Sequence, residues 1–418
     1  MISYQNSKKI LKKSHIKINN EIILSVNSLN RVTSSNVYSK YDYPSGNNAA
    51  FDGYAINSND TKAIKKNHPI KFRIIGTIAA GTKPFKNRNK KYQAVQIMTG
   101  GIIPKGFDTI IPNEKIKFYP SLTDRKFILV GKKVNKYNHI RFKGSDYKKK
   151  ELIIKKNTII QPNHILALKT LGIKFIKIKK KINILFFSTG NEISDKDEIK
   201  DWKVRNSNNH YISVLKDNLL FNFKYGGILR DNHDKIFQSK IKKILKTKTD
   251  IIVTSGAVSA GKYDYIPNVI KKFKLSKYFK SVKIRPGKPI LFAKFKGKQK
   301  AFFGLPGNPM SSAACFRFFI FPYISNLLGL DNEKPLKVVL KKEFIKNKNF
   351  TRFVKSKMHT TKNGKLEVEI LKGQESFRIK SFVNSNIWTI LPSGKSRFKK
   401  GTIVDCYLPN YSNQTLIL

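Results

Sequence analysis

Apolar positions along this chain follow two periods. Between Ile182 and Leu328 they form short unbroken runs that alternate with stretches at helical spacing. Ile182 to Phe187, Asp250 to Val253 and Ala301 to Phe303 have the β-branched and aromatic character of strands buried on both faces. A helical stripe of Ile212, Leu215 and Leu219 follows the first run. A strand from Gly227 to Leu229 and a second stripe of Ile236, Ile241 and Leu245 precede the next. This alternation predicts right-handed βαβ units and a mostly parallel sheet, followed by a helix from Pro309 to about Leu328. Elsewhere the period is two. From Tyr41 to Lys150 strand-like pieces are punctuated by Gly, Pro and Lys/Asn turns, and beyond Asp331 strands are predicted at Leu336 to Leu340, Leu366 to Ile370, Ile387 to Leu391 and Ile403 to Leu408. Asn163 to Leu171 reads as a helix between Pro162 and Gly172, with a short strand after it. The first forty residues carry two short amphipathic stretches, around Ile10 and Leu11 and from Ile22 to Val26.

Composition supports a folded chain of about two to four domains: 418 residues, 40% hydrophobic and 11% aromatic. Net charge changes the picture less than its size suggests. The +57 balance, from 83 Lys+Arg against 26 Asp+Glu, is spread along the whole length and travels with Ile, Asn and Phe, as drift toward AT-rich codons produces. A basic nucleic-acid-binding protein is therefore the weaker reading, although the field would still attract phosphate-bearing small molecules. Cys315 and Cys406 make no disulfide framework, and the N-terminus has no signal-like apolar core, so a cytoplasmic location without a membrane span is expected.

Three small-residue loops directly follow the buried runs: Ser188-Thr189-Gly190-Asn191-Glu192, Thr254-Ser255-Gly256-Ala257-Val258-Ser259 and Gly304-Leu305-Pro306-Gly307-Asn308-Pro309. Such loops at the carboxyl ends of parallel strands bind anionic ligands through exposed backbone N–H groups. Glu192, Asp231 and Asp264 stand at or near these strand ends, where a Mg²⁺ ion bridging to phosphate would need oxygen ligands; a helix cap or surface ion pair is the plainer alternative. Asp52, in Phe51-Asp52-Gly53, reads equally as a turn. Arg285-Pro286-Gly287-Lys288-Pro289 presents two positive charges around a rigid turn, suited to an oxyanion or merely a surface turn. No nucleophile elbow, Walker loop or dinucleotide fingerprint occurs.

Taken in order with Asn48 to Ala55, Ile97-Met98-Thr99-Gly100 and Ile140-Arg141 through Gly144-Ser145-Asp146, these loops resemble the molybdopterin molybdenumtransferase family, which includes bacterial MoeA and the E domain of gephyrin. The resemblance covers nearly the whole chain. It implies an enzyme that inserts molybdenum from molybdate into adenylyl-molybdopterin with release of AMP, using a divalent cation such as Mg²⁺. It implies a multidomain α/β fold: an N-terminal arm over 1–20, a linking domain over 21–40 and 151–180, an inserted β domain over 41–150, a molybdopterin-binding α/β domain over 181–330 and a C-terminal β-barrel domain over 331–418. It also implies a homodimer, in which Asp52, Arg141 and Asp146 of one subunit meet Glu192, Asp231 and Asp264 of the other, and a possible partner in the molybdopterin adenylyltransferase. Carried over by position, Asp52, Asp146, Glu192, Asp231 and Asp264 are the catalytic acids, the last three being the metal set. Arg285, Lys288 and Ser311 would hold molybdate. Arg141, Ser188, Thr189, Gly190, Ser255, Gly256, Ser259, Pro306, Gly307, Asn308 and Ser376 would hold the pterin phosphate and nucleotide or reach the site.

Four positions depart from the family pattern. Ala49 replaces Ser, Asn206 stands where Asp is usual, and Ala257 occupies a Gly position where the backbone would favour positive φ. The C-terminal Arg of the family falls near Phe350, with Arg352 as the substitute. A catalytically weakened binding or scaffold protein of the same fold is the alternative that these departures raise.

Overall fold

The computed structural model describes residues 1–65, 68–84, 90–215, 220–231, 233–258 and 265–409; Leu219, Ser259 and Asp264 lie outside them. The apolar runs become a six-stranded sheet ordered Phe221–Leu229, Ile182–Thr189, Ile251–Ser255, Ala301–Leu305, Leu291–Phe295, Leu275–Lys280. Its first four strands are parallel. Leu291–Phe295 runs against them and Leu275–Lys280 with them again, so the last two pairings are antiparallel, which the sequence pattern did not indicate. Residues 296–300, turning through Gly297 at φ +70°, are too few for anything but a hairpin.

Alternation along the central strands divides two cores. Phe186, Val253 and Phe303 face the long C-terminal helical stretch, whereas Phe187, Ile252 and Phe302 face the helices Asp234–Ile244 and Ile266–Lys271. The stretch after Pro309 is not one regular helix. It runs as Pro309–Cys315, a π-helical turn over Phe316–Ile320, and Phe321–Leu327. Pro322 cannot donate to the Phe318 carbonyl, and the buried Tyr4 hydroxyl of the N-terminal helix Tyr4–Lys12 donates to that oxygen at 3.5 Å.

The segment from Ile22 forms a strand, Asn20–Leu24, paired antiparallel with Phe175–Lys179 and leaving Ile22, Leu24 and Phe175 exposed. Val37–Tyr38 pairs with Leu152–Ile154, and with helix Pro162–Thr170 these elements enclose Val37, Ile154, Leu168, Ile176 and Ile178. Between the two strands of that pair the chain makes a second sheet, ordered Thr109–Pro112, Gly53–Ile56, Gln93–Ile97, Ile70–Ile78, Arg125–Val130, Lys117–Pro120.

The last sheet closes on itself. Thr351–Thr360, Leu366–Ile370, Leu336–Leu340, Ile403–Tyr407 and Ile387–Leu391 pair in that order, and Ile387–Leu391 returns to Thr351–Thr360, giving a five-stranded barrel. Thr351–Thr360 is its longest strand and is absent from the strands read in the sequence. Lys355 and Ser356 are buried mid-strand and break the apolar alternation. The barrel is fused to the α/β unit: Phe318 stacks on Phe353 at 4.5 Å and meets Trp388 and Tyr407 edge-on. Ile284–Arg285 adds a short parallel strand to Thr351–Thr360, placing Arg285 opposite Arg352.

Candidate functional site

The parallel strands end in loops that are tied to one another. The Thr189 hydroxyl donates to the Ser255 carbonyl at 2.8 Å, and Asn208 Nδ2 donates to Ser255 Oγ at 2.6 Å and to the Gly307 carbonyl at 2.8 Å. Gly256 has φ +102°, and a Cβ there would lie 2.5 Å from Thr189 Oγ1; only glycine permits this approach. Ala257 follows at φ +53°, so the methyl side chain does sit on left-handed backbone.

Glu192 rides on a loop held by Arg230. One guanidinium nitrogen, Arg230 Nη1, donates to the carbonyls of Gly190 at 3.1 Å, Asn191 at 3.2 Å and Ile193 at 2.9 Å, and Lys203 Nζ donates to Asn191 O at 2.6 Å. The Glu192 carboxylate folds over Gly190, in space that a side chain at 190 would take. The amide N–H of Asp231 donates to Asn191 Oδ1 at 3.2 Å, linking the two acidic strand ends. Sequence reasoning missed Arg230 and Asn208. Their only signal was adjacency to Asp231 and to the head of helix Ser207–Leu215.

A cleft of about 600 Å³ opens beside the third loop. Arg285, Lys288, Pro306, Asn308, Ser311 and Ser376 line it together with Arg352. Asn308 Nδ2 donates to Ser376 Oγ at 3.0 Å, closing the α/β loop against the barrel. Gly287 is buried at the turn, where a Cβ would lie 2.5 Å from Cys315 Sγ. Arg285 packs on the Phe350 ring at 4.7 Å. Burial first, then the Arg285 guanidinium, pulls Arg352 below the usual arginine range, with Glu375 opposing. Two guanidiniums and an ammonium therefore face a cleft with one compensating carboxylate, a field suited to a multiply charged oxyanion. The Ser376 loop has its own anchor. Lys355, 2% exposed, donates to the carbonyls of Gly373 at 2.8 Å, Glu375 at 3.3 Å and Arg378 at 3.1 Å, and burial lowers its ammonium to about 8.

Asp52, Arg141 and Asp146 lie in the inserted segment and each bonds locally, Arg141 from a two-stranded pairing of Ile140–Arg141 with Asn48–Ala49. Asp52 Oδ1 accepts from the Thr99 amide at 2.6 Å and its hydroxyl at 2.7 Å, which hold the carboxyl below its ordinary range. Arg141 Nη2 reaches the Ala50 carbonyl at 3.5 Å, and the Asp146 amide bonds Tyr43 O at 3.1 Å. Among the described residues, no hydrogen bond or ion pair joins this group to the crevice residues. Ala49 is fully buried in the inserted unit's apolar core with Ala55, Ile78, Val95 and Ile97.

Known families cover the same ground. The MoeA N-terminal region (domain I and II) matches residues 2–172, a "Probable molybdopterin binding domain" matches 186–326, and the MoeA C-terminal region (domain IV) matches 337–408. A molybdopterin molybdenumtransferase of Staphylococcus aureus (strain COL) is 32% identical over 386 residues, 91% of this chain and 89% of that one. The chain belongs to the molybdopterin molybdenumtransferase family. A Staphylococcus epidermidis molybdopterin molybdenumtransferase is 29% identical over 422 residues, 100% of this chain and 98% of its own. A molybdopterin biosynthesis MoeA protein from Pyrococcus horikosii has the same fold, with a TM-score of 0.83 at 24% identity over 99% of this chain and 100% of that one.

The divalent cation expected of a molybdopterin molybdenumtransferase can be weighed against the donors present. Among the described residues no three His, Cys, Asp or Glu side chains assemble as a metal group, and Asp264 lies outside them. Glu192 and Asp231 nevertheless keep carboxylates without an ion-pair partner among the described residues, in a chain of 83 Lys+Arg and 26 Asp+Glu. Oxygen donors of this kind on adjoining loops fit a hard cation such as Mg²⁺.

Proposed function

We propose that this molybdopterin molybdenumtransferase inserts molybdenum from molybdate into adenylyl-molybdopterin and releases AMP, giving molybdenum cofactor. The observation that carries the reading is the cationic cleft of Arg285, Lys288 and Arg352, continuous through Pro306 to Asn308 with the glycine loops of the sheet. The glycine loops hold pterin phosphate and nucleotide by backbone N–H groups, and the cleft holds molybdate through the Arg285 fork, Lys288 and the buried Ser311 hydroxyl. Glu192 and Asp231, with Asp264, would hold Mg²⁺. When bound, that ion polarises the phosphoanhydride and offsets charge on the departing AMP. Asp52 is held ionised by Thr99 and serves as an acceptor toward a water or substrate proton.

Because Asp52, Arg141 and Asp146 bond only within the inserted unit, a second subunit completes each site. The exposed apolar side chains Ile22, Leu24 and Phe175 support a homodimer. Among the described residues no helix is long and apolar enough to cross a membrane, and the protein works in the cytoplasm, receiving adenylated pterin from the molybdopterin adenylyltransferase.

The test is AMP release from adenylyl-molybdopterin with Mg²⁺, with and without molybdate, for wild type and Glu192→Gln. Release that requires molybdate and falls at least about 100-fold in the variant supports the reading. Tight binding of adenylyl-molybdopterin without any release would instead establish a binding or scaffold role.

A further inference from the structure

Under the Ser188 loop lies a closed polar cluster whose members come from four segments. Ser188 Oγ donates to Asn206 Oδ1 at 2.6 Å, and Asn206 Nδ2 donates to Asp195 Oδ1 at 2.6 Å and to the Tyr225 hydroxyl at 2.9 Å. The Tyr225 hydroxyl in turn donates to Asp195, at 3.1 Å and 3.0 Å from its two oxygens. Ser188 and Asn206 are buried, 2% and 4% exposed, while Asp195 reaches in from the exposed loop after Glu192.

The direction of these bonds is not free. An ionised carboxylate only accepts, so Asp195 fixes the Asn206 amide with its NH₂ toward itself and its oxygen toward Ser188. Ser188 must then donate, and its orientation at the end of the Ile182–Thr189 strand is set from Asp195 outward. Asn206 also heads helix Ser207–Leu215, where Asn208 binds the Ser255 and Gly307 loops. A carboxylate at 206 would stand 2.6 Å from the Asp195 oxygen, where two like charges cannot both persist.

The geometry points to Asp195 as the positioning residue of the loop crevice: it supplies the negative charge that orients Asn206 and, through Asn206, Ser188 and the Asn208 clamp. In this chain the amide at 206 and the carboxylate at 195 form one reciprocal pair. Exchanging the two side chains keeps the links from position 206 to Ser188 and to position 195 and reverses the one to Tyr225, whose single proton then serves position 206 in place of position 195. The amide, moved to position 195, would donate to the carboxylate at position 206, and that carboxylate would accept from Ser188 and Tyr225. This inference rests on the transferase reading for its kinetic consequence but not for the pairing.

The experiment is a four-member cycle of wild type, Asp195→Asn, Asn206→Asp and the double exchange. Each protein is measured for thermal unfolding, for equilibrium binding of adenylyl-molybdopterin and for molybdate-dependent AMP release. Asn206→Asp is expected to weaken binding about tenfold and Asp195→Asn about threefold, with the double exchange returning to within about threefold of wild type. Full activity and binding in Asn206→Asp, or losses in the double exchange that equal the product of the single losses, would overturn the pairing. Recovery in melting alone, with binding and release still lost in the double exchange, would reduce Asp195 to a structural role and overturn its part in the crevice. A wild type that binds without releasing AMP would count against the transferase reading, while the binding cycle would still decide for or against Asp195.

Discussion

Arg230 shows how one side chain can decide whether a carboxylate is useful. Its Nη1 alone bonds to three carbonyls of the loop that carries Glu192, fixing the backbone on both sides of that carboxylate. Arg230→Met should lower AMP release by about 100-fold while changing global stability by no more than about 1–2 kcal/mol, and Arg230→Lys, whose ammonium can bond several carbonyls as Lys355 does in the barrel, should restore part of it; steady-state rates and urea melts check both. The placement of Glu192 and Asp231 just past strand ends was legible in the sequence, because each follows a short apolar run. Arg230 was not legible. It is one of 83 basic residues, and only the fold shows that it points back into the preceding loop. Ala257 was readable in the other direction. The glycine usual at this position in the resembled family implied left-handed backbone, and φ is +53° with the alanine in place.

At the scale of elements, barrel strands bounded by apolar residues with polar positions between were legible to the residue, as at Leu336–Leu340, Leu366–Ile370 and Ile387–Leu391. The barrel's longest strand was hidden by Lys355, whose burial is offset by three carbonyls of the loop from Gly373 to Arg378. Lys355→Met should strip three bonds from that loop, leaving Gly373 and Arg378 to the Ser381 hydroxyl and Glu375 to the Arg378 amide, and cost about 1–2 kcal/mol by urea unfolding. The pH dependence has a definite sign. The folded ammonium titrates near 8 and the unfolded one near 10.5, so between those values the unfolded chain binds more protons and the Lys355 contribution to stability rises with pH. The wild type should therefore gain on Lys355→Met between pH 8 and 10.5 in parallel melts. The antiparallel pairings made by Leu291–Phe295 were hidden for a different reason, since apolar content reports burial and not direction.

Across the whole molecule, the proposed division of the site between subunits makes a quantitative prediction. Mixing Asp52→Ala with Glu192→Gln subunits leaves each heterodimer one site with both residues intact and one with neither. A statistical mixture should recover about one quarter of wild-type AMP release, whereas each variant alone stays inactive. No recovery after verified exchange of subunits would place all catalytic acids on one chain. The inserted sheet is joined to the rest by a narrow neck. Its entering strand Val37–Tyr38 and leaving strand Leu152–Ile154 are paired neighbours, with the Ser39 amide bonding the Glu151 carbonyl at 2.8 Å. The two ends of a segment of roughly a hundred residues therefore emerge about 5 Å apart, a gap that a tight turn spans. The insertion is in this sense a cartridge. Replacing 41–149 by a short glycine turn should yield a chain that still folds and melts cooperatively, lacks Asp52 and Asp146, and accepts a different cartridge at the same socket.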